Sequence, residues 1–143
     1  MKKFQIIKFR SMVVGAEKFA GAQLAQNRDP RMTRVGYILR KYKLDELPQL
    51  INIFRGEMSF VGPRPERPEL IEDIAEKVPE FTFRTTVRAG LTGYAQVHGD
   101  YHTEFLDKLK WDLMYIENFS LMLDLKILLM TIPVVLKGTD DVK

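Results

Sequence analysis

Leu39-Arg40-Lys41-Tyr42-Lys43-Leu44-Asp45-Glu46-Leu47-Pro48-Gln49-Leu50 is the stretch whose reading organises the chain. A cluster of cations leads into two adjacent carboxylates, and these lead into a proline. Leu44, Leu47, Leu50, Ile51 and Phe54 recur at helical spacing, so a helix is predicted to begin here. Pro48 suits its first turn, and Gly56 is placed to end it. Asp45 fits an N-cap, its carboxylate accepting backbone N–H bonds at a gain of about 1 kcal/mol. A carboxylate held beside a helix N-terminus also stays ionised, and the same N–H groups attract a phosphate. The stretch therefore admits a structural reading and a chemical one.

Working outward, Phe4 to Met12 alternates loosely and reads as a short strand carrying Lys8 and Arg10. Ala16 to Gln26 reads as a weakly amphipathic helix, followed by a turn through Asp29-Pro30. Thr33 is predicted to cap a helix with Val35, Ile38 and Leu39 inward. Beyond the central stretch, Met58 to Val61 is a short strand running into Gly62-Pro63-Arg64-Pro65. Two prolines stiffen that turn and remove N–H donors, so Arg64 is presented rigidly. Glu66 to Lys77 reads as an acidic helix, Pro79 to Val87 as a further short one, and Tyr94 to Val97 as a strand. Thr103 is expected to cap an amphipathic helix through Phe105, Leu106, Leu109, Leu113, Met114 and Ile116.

The most apolar segment, residues 119–136, approaches the length of a membrane span, which needs about 20 apolar residues. Asp124, Lys126 and Pro133 argue against spanning. A buried or partner-packed helix and a helix lying in the membrane interface both remain open. The fold expected is a single α-rich α+β domain over residues 1–143. Its short strands or hairpin fall at 4–12, 57–61 and 94–98, on helices that lie along a membrane face.

The chain has 143 residues, 45% of them hydrophobic and 29% charged, which describes a globular domain. No cysteine is present and only two histidines, His98 and His102, which excludes disulfides and thiolate chemistry and disfavours structural zinc. The net charge of +3 is unevenly spread: residues 1–43 carry eleven Lys/Arg against Glu17 and Asp29, and the remainder is acidic. A basic first third suits an anionic partner such as a phosphate, a nucleic acid or an acidic membrane surface. The run after Met1-Lys2-Lys3 is too short to be a signal peptide.

P-loop, dinucleotide-binding and nucleophile-elbow motifs are absent. Adjacent carboxylates on one helix diverge by about 100°, which does not suit a glycosidase pair facing each other across a sugar. Diverging neighbours can serve two partners: one attacks a phosphorus while the other holds a magnesium ion.

Six blocks occur in order: Lys8-Phe9-Arg10-Ser11-Met12; Asp29-Pro30-Arg31-Met32-Thr33-Arg34-Val35-Gly36; Leu44-Asp45-Glu46-Leu47-Pro48-Gln49; Gly56 to Pro65; Gly90-Leu91-Thr92-Gly93-Tyr94-Ala95-Gln96-Val97; and Leu123-Asp124-Leu125-Lys126-Ile127-Leu128. Together they resemble the bacterial sugar transferase family, the monotopic polyprenyl-phosphate phosphoglycosyl transferases. The resemblance implies transfer of a sugar phosphate from a UDP-sugar to undecaprenyl phosphate at the cytoplasmic face of the bacterial inner membrane. Such a step initiates exopolysaccharide, capsule or O-antigen synthesis. It implies Asp45 as a nucleophile forming a sugar-phosphoryl aspartate, and Glu46 as the ligand of Mg2+. Lys8, Arg40 and Arg64 match phosphate-binding positions, and Asp112 matches a polar position near the active site.

Two departures accompany the match. His98-Gly99-Asp100 stands where many relatives carry Asn-Gly-Arg, which puts the sugar in question. The family's N-terminal hydrophobic helix-break-helix has no counterpart here, so the chain reads as the catalytic portion. Rival readings are a basic nucleic-acid-binding module, for which no aromatic stacking platform is present, and an inactive membrane-recruited scaffold.

Overall fold

The computed structural model describes residues 3–16, 29–99 and 105–138. Its elements are α1 (Arg34–Lys41), a 3-10 turn (Leu44–Glu46), α2 (Gln49–Phe54), β1 (Ser59–Val61), α3 (Pro68–Ala75), a 3-10 helix (Pro79–Thr85), β2 (Gly90–Thr92), α4 (Tyr94–His98), α5 (Phe105–Glu117) and α6 (Leu121–Lys137). The α-rich α+β class expected from the sequence holds. The helix expected at 16–26 falls largely, and the Thr103 cap wholly, outside the described residues.

The strands differ from expectation. β1 and β2 pair in parallel, Ser59 with Gly90 and Val61 with Thr92, so they cannot form a hairpin. A parallel pair needs a crossover, and α3 with the second 3-10 helix supplies it. Gly90 occupies the pairing position because a Cβ there would overlap the Gly62 backbone nitrogen and the Thr92 carbonyl oxygen. Residues 94–98, predicted as a strand, form α4 instead, started by Gln96 and Val97 N–H donating to the Gly93 carbonyl. Residues 4–12 are not a strand either. Among the described residues its one β-bridge is an isolated antiparallel one, Met12 to Met32.

The core is small. Val61, Tyr115 and Ile127 are buried, with Val87, Tyr94, Val97, Ile116 and Leu123 packed around them. This cluster clamps β1 between α5 and α6. The Tyr115 hydroxyl donates to Asp124 at 2.8 Å and lies 3.3 Å from the Val61 carbonyl oxygen, tying the three elements together. Burial first, and the Asp124 carboxylate second, push its pKa above the ordinary tyrosine value. Thr92 and Thr131 hydroxyls, 2.8 Å apart, add a second bond between α6 and the sheet.

Helix ends follow sequence rules more faithfully than helix faces. Thr33 caps α1 through the Gly36 N–H at 2.9 Å, and Gly56, with φ of 73°, closes α2. Gly56 N–H reaches the Ile53 carbonyl and Glu57 N–H reaches that of Asn52, the paired bonds of a Schellman ending. The faces are reversed. α1 buries Gly36, against the Ser11 carbonyl, and exposes Val35 and Ile38, which were expected inward. α2 buries Gln49 and Asn52 while Ile51 and Phe54 face out, Phe54 at 86% exposure, and Leu47 just ahead of the helix is exposed as well. On α6, Leu121, Leu125, Leu129, Ile132 and Leu136 form an exposed apolar stripe opposite the buried Ile127. Among the described residues no helix is long and apolar enough to cross a membrane.

Candidate active site

Lys43 adopts a left-handed conformation (φ 54°), which turns the chain sharply out of α1. The carboxylates that follow sit in the 3-10 turn, and α2 begins only at Gln49. Asp45 is therefore not the cap of α2; Pro48 holds that place and caps nothing with a side chain. Asp45 is instead anchored through its carbonyl oxygen, which accepts the Phe9 N–H at 2.9 Å. Among the described residues no other side chain hydrogen-bonds its carboxylate, and neither oxygen is buried without a partner. The acid is thus held by its backbone in a largely buried position, at 7% exposure, with no side chain bonded to its carboxylate.

Both acids are buried, but only Glu46 is engaged by side chains. Its Oε1 accepts from Lys8 Nζ at 2.8 Å and from Arg64 at 2.8 Å. Burial raises its pKa, but Arg64 and Lys8 outweigh that and bring it down to about 2. Asp45 moves the other way: burial and the neighbouring Glu46 charge raise its pKa, and Lys8 and Arg40 only partly offset them. Two adjacent acids are thereby given opposite proton affinities, which is how one site obtains two roles from the same chemistry.

Each cation reaches Glu46 through a buried polar support. Asn52 is fully buried; its Oδ1 accepts the Ile7 N–H at 3.1 Å and its Nδ2 donates to the Gln5 carbonyl at 2.8 Å. A second Nδ2 bond, 2.7 Å, goes to Glu57. These bonds fix the extended segment that carries Lys8 without any sheet. Arg64 leaves the Gly62-Pro63-Arg64-Pro65 turn predicted to present it. Gly62 N–H donates to Thr92 at 2.9 Å, and Gly90 N–H donates to the Pro63 carbonyl at 3.0 Å.

Lys8, Asp45, Glu46 and Arg64 thus come together, and Arg40 faces Asp45 through its charge. Asp112 does not join them; it is buried on α5 and committed to Arg84 at 2.7 Å. Arg84, Asn52, Tyr115 and Asp124 were not foreseen as a framework. Asp112 carried a signal, since it shares one helical face with Leu109 and Ile116, where an acid requires a buried partner. His98 is exposed, its ring tilted against that of Tyr94 with centroids 4.4 Å apart. Asp100 and His102 lie outside the described residues. Arg31 binds Asp29 at 2.6 Å, so the cations do not make one open track for a nucleic-acid backbone.

Among the described residues there is no cluster of three or more metal-ligating side chains. Magnesium does not require one, because it commonly takes one or two carboxylates and completes its shell with phosphate oxygens and water. Glu46 Oε2 receives no hydrogen bond among the described residues, and Asp45 is adjacent, so the donor set fits that ion.

The family model for bacterial sugar transferases matches residues 1–138. The chain is 44% identical over 140 residues, 96% of its length, to an Aeromonas hydrophila UDP-N-acetylgalactosamine-undecaprenyl-phosphate N-acetylgalactosaminephosphotransferase, of which it covers 33%. It is 45% identical over 135 residues, 91% of its length, to a Caulobacter vibrioides UDP-glucose:undecaprenyl-phosphate glucose-1-phosphate transferase, of which it covers 50%. It is 39% identical over 137 residues, 90% of its length, to a Komagataeibacter xylinus undecaprenyl-phosphate glucose phosphotransferase, of which it covers 26%. The chain thus spans half or less of the length of these relatives, and nearly all of it takes part in the match. It belongs to the bacterial sugar transferase family.

Proposed function

We propose that the chain carries the catalytic site of an enzyme that moves a sugar phosphate from a UDP-sugar to undecaprenyl phosphate and releases UMP. The observation that carries this reading is the contrast within one turn: among the described residues no side chain bonds the Asp45 carboxylate, while one Glu46 oxygen receives both Lys8 and Arg64. An Asp45 oxygen attacks the phosphorus that bears the sugar, and the bond from that phosphorus to the UMP oxygen breaks, its electron pair leaving with UMP. A polyprenyl phosphate oxygen then attacks the same phosphorus. The aspartyl–phosphorus bond breaks, and the carboxylate is restored. The attacking phosphate is already anionic and requires no general base.

Arg64, Lys8 and Arg40 supply fixed positive charge for the phosphate oxygens, Arg through paired N–H donors and Lys as a point charge. Mg2+, held by Glu46, would neutralise charge on the phosphate oxygens.

A cavity of about 190 Å³ has Glu46 in its wall and is otherwise largely apolar, with Leu44, Phe60, Leu91, Val97 and Leu128 among its lining. It suits the hydrocarbon of the acceptor beside its charged phosphate. The outward apolar faces of α1, α2 and α6 support a site seated on a membrane, and Arg34 and Lys41 beside Ile38 suit anionic headgroups. In this reading the chain works at the cytoplasmic face of the bacterial inner membrane, in the initiation of an exopolysaccharide or related glycan. The relatives act on different sugars by name, so the donor is left to experiment. A panel of sugar-labelled UDP-sugars with Mg2+, comparing the parent with Asp45→Asn, tests the mechanism. Covalent label on the parent alone is expected; label kept by Asp45→Asn removes Asp45 as the nucleophile.

A further inference from the structure

Arg84 is the least exposed arginine described, and nothing above gives it a function. Its Nε and one terminal nitrogen bind Asp112 Oδ2, at 3.1 and 2.7 Å, and that terminal nitrogen also donates to the Arg64 carbonyl at 3.0 Å. The remaining nitrogen lies 3.8 Å from Glu66, and the guanidinium stands 4.6 Å over the Phe81 ring. Its partners therefore come from α5 and from the turn that presents Arg64.

Stability does not explain this arrangement. A buried ion pair roughly breaks even against an apolar pair of the same volume, because its desolvation cost offsets its attraction. An apolar pair could fill the space between α5 and the turn. It could not grasp a carbonyl oxygen in a turn whose two prolines offer no N–H. Gly62 N–H and the Pro63 carbonyl are bonded to β2, and the Arg64 carbonyl is the handle that Arg84 takes.

We propose that Arg84, oriented by Asp112, is a positioning residue that fixes the Arg64 backbone so that its guanidinium meets Glu46 and the substrate phosphate. The planar fork matters more than the charge. A lysine could hold Asp112 but could not also reach the carbonyl in a fixed geometry. The catalytic consequence rests on the phosphate-binding role proposed for Arg64, whereas the mechanical one does not.

The test is a double-mutant cycle. Arg84→Lys should lower kcat/KM for the UDP-sugar by roughly 10- to 100-fold, the scale of a misplaced catalytic group. In an Arg64→Ala background the same change should cost less than about twofold, because the group it positions is gone. Equal losses in both backgrounds would mean that Arg84 merely supports the fold, and would overturn the proposal. Asp112→Asn serves as a second variant, since it keeps an acceptor for Arg84 while removing the charge.

Side-chain N–H exchange of Arg64, followed by NMR of 15N-arginine-labelled protein, gives a readout that needs no turnover. Arg84→Lys should accelerate it at least several-fold while leaving the Arg31–Asp29 pair unchanged. Unchanged Arg64 exchange overturns the positioning role. If the parent transfers no sugar phosphate from any donor, the functional reading fails, and the exchange measurement still decides this one.

Discussion

Lys8 and Glu46 stand 38 positions apart in sequence and meet at 2.8 Å, on the same carboxylate oxygen that receives Arg64. One oxygen holding two cations has consequences for removing either. A charge-assisted hydrogen bond is worth about 1.5–3 kcal/mol. Lys8→Met and Arg64→Ala are each expected to lower kcat/KM by roughly 10- to 100-fold on that basis. The double variant should lose more than the product of the two losses, since each cation partly compensates for the absence of the other. Steady-state kinetics of the three variants measures it.

Acid should weaken the fold through Glu46. Its folded pKa is about 2 against an ordinary 4.5. A depressed carboxylate contributes stability that is fully present above the unfolded value and is lost as pH falls from 4.5 toward about 2. Asp45 has the opposite sign: its raised pKa makes its ionisation unfavourable to the fold, and protonation relieves that. Denaturant midpoints taken across this range should fall for the parent and fall less for Glu46→Gln, while Asp45→Asn should not reduce the slope.

Activity should show an acid limb set by Asp45. Because burial and Glu46 raise its pKa above 3.8, kcat/KM should begin to fall at a pH higher than an ordinary aspartate would give. Glu46→Gln removes one raising cause and should move that limb to lower pH in whatever activity remains. A limb that stays in place would show that another group controls it.

Asn52 is expected to be costly to replace. Asn52→Leu strands the Ile7 N–H, the Gln5 carbonyl and the Glu57 carboxylate, each now bonded to it. Unpaired buried polar groups cost about 1–3 kcal/mol. These partners are only partly buried, so urea unfolding should show a loss within about that range, and nucleotide-sugar affinity should fall with it as the Lys8 segment loosens.

The α6 stripe offers a surface test. Leu125→Glu with Leu129→Glu alters two exposed side chains, so stability should change by only about 0.5 kcal/mol per site. Sedimentation with anionic lipid vesicles should drop clearly. Unaltered vesicle binding would remove α6 from the membrane face.

Much of the site was legible because its chemistry is local. The acid pair, the Pro63-Arg64-Pro65 turn, the Thr33 cap and the Gly56 stop each declare themselves within a few residues. What could not be read was what faces what. Leu47, Ile51 and Phe54 have core-like spacing, yet α2 turns Gln49 and Asn52 inward because the Lys8 segment, with no sheet to join, needs side-chain partners. The strand at 90–92 lies ahead of the one expected at 94–98 for a related reason. Its glycine, a poor strand former, is required by the close approach of Gly62, which only the folded chain reveals. Arg84 and Asp112 are far apart in sequence and ordinary one at a time.

The reversed polarity of α2 bears on how the molecule should be handled. A helix with amides inside and Phe54 in the open is wetted badly by plain buffer, and concentrating the chain should drive copies together through these faces, reversibly by mild detergent. Attempts to improve solubility by recoding the inner positions would remove the struts beneath Lys8. The outer positions are the ones that tolerate change.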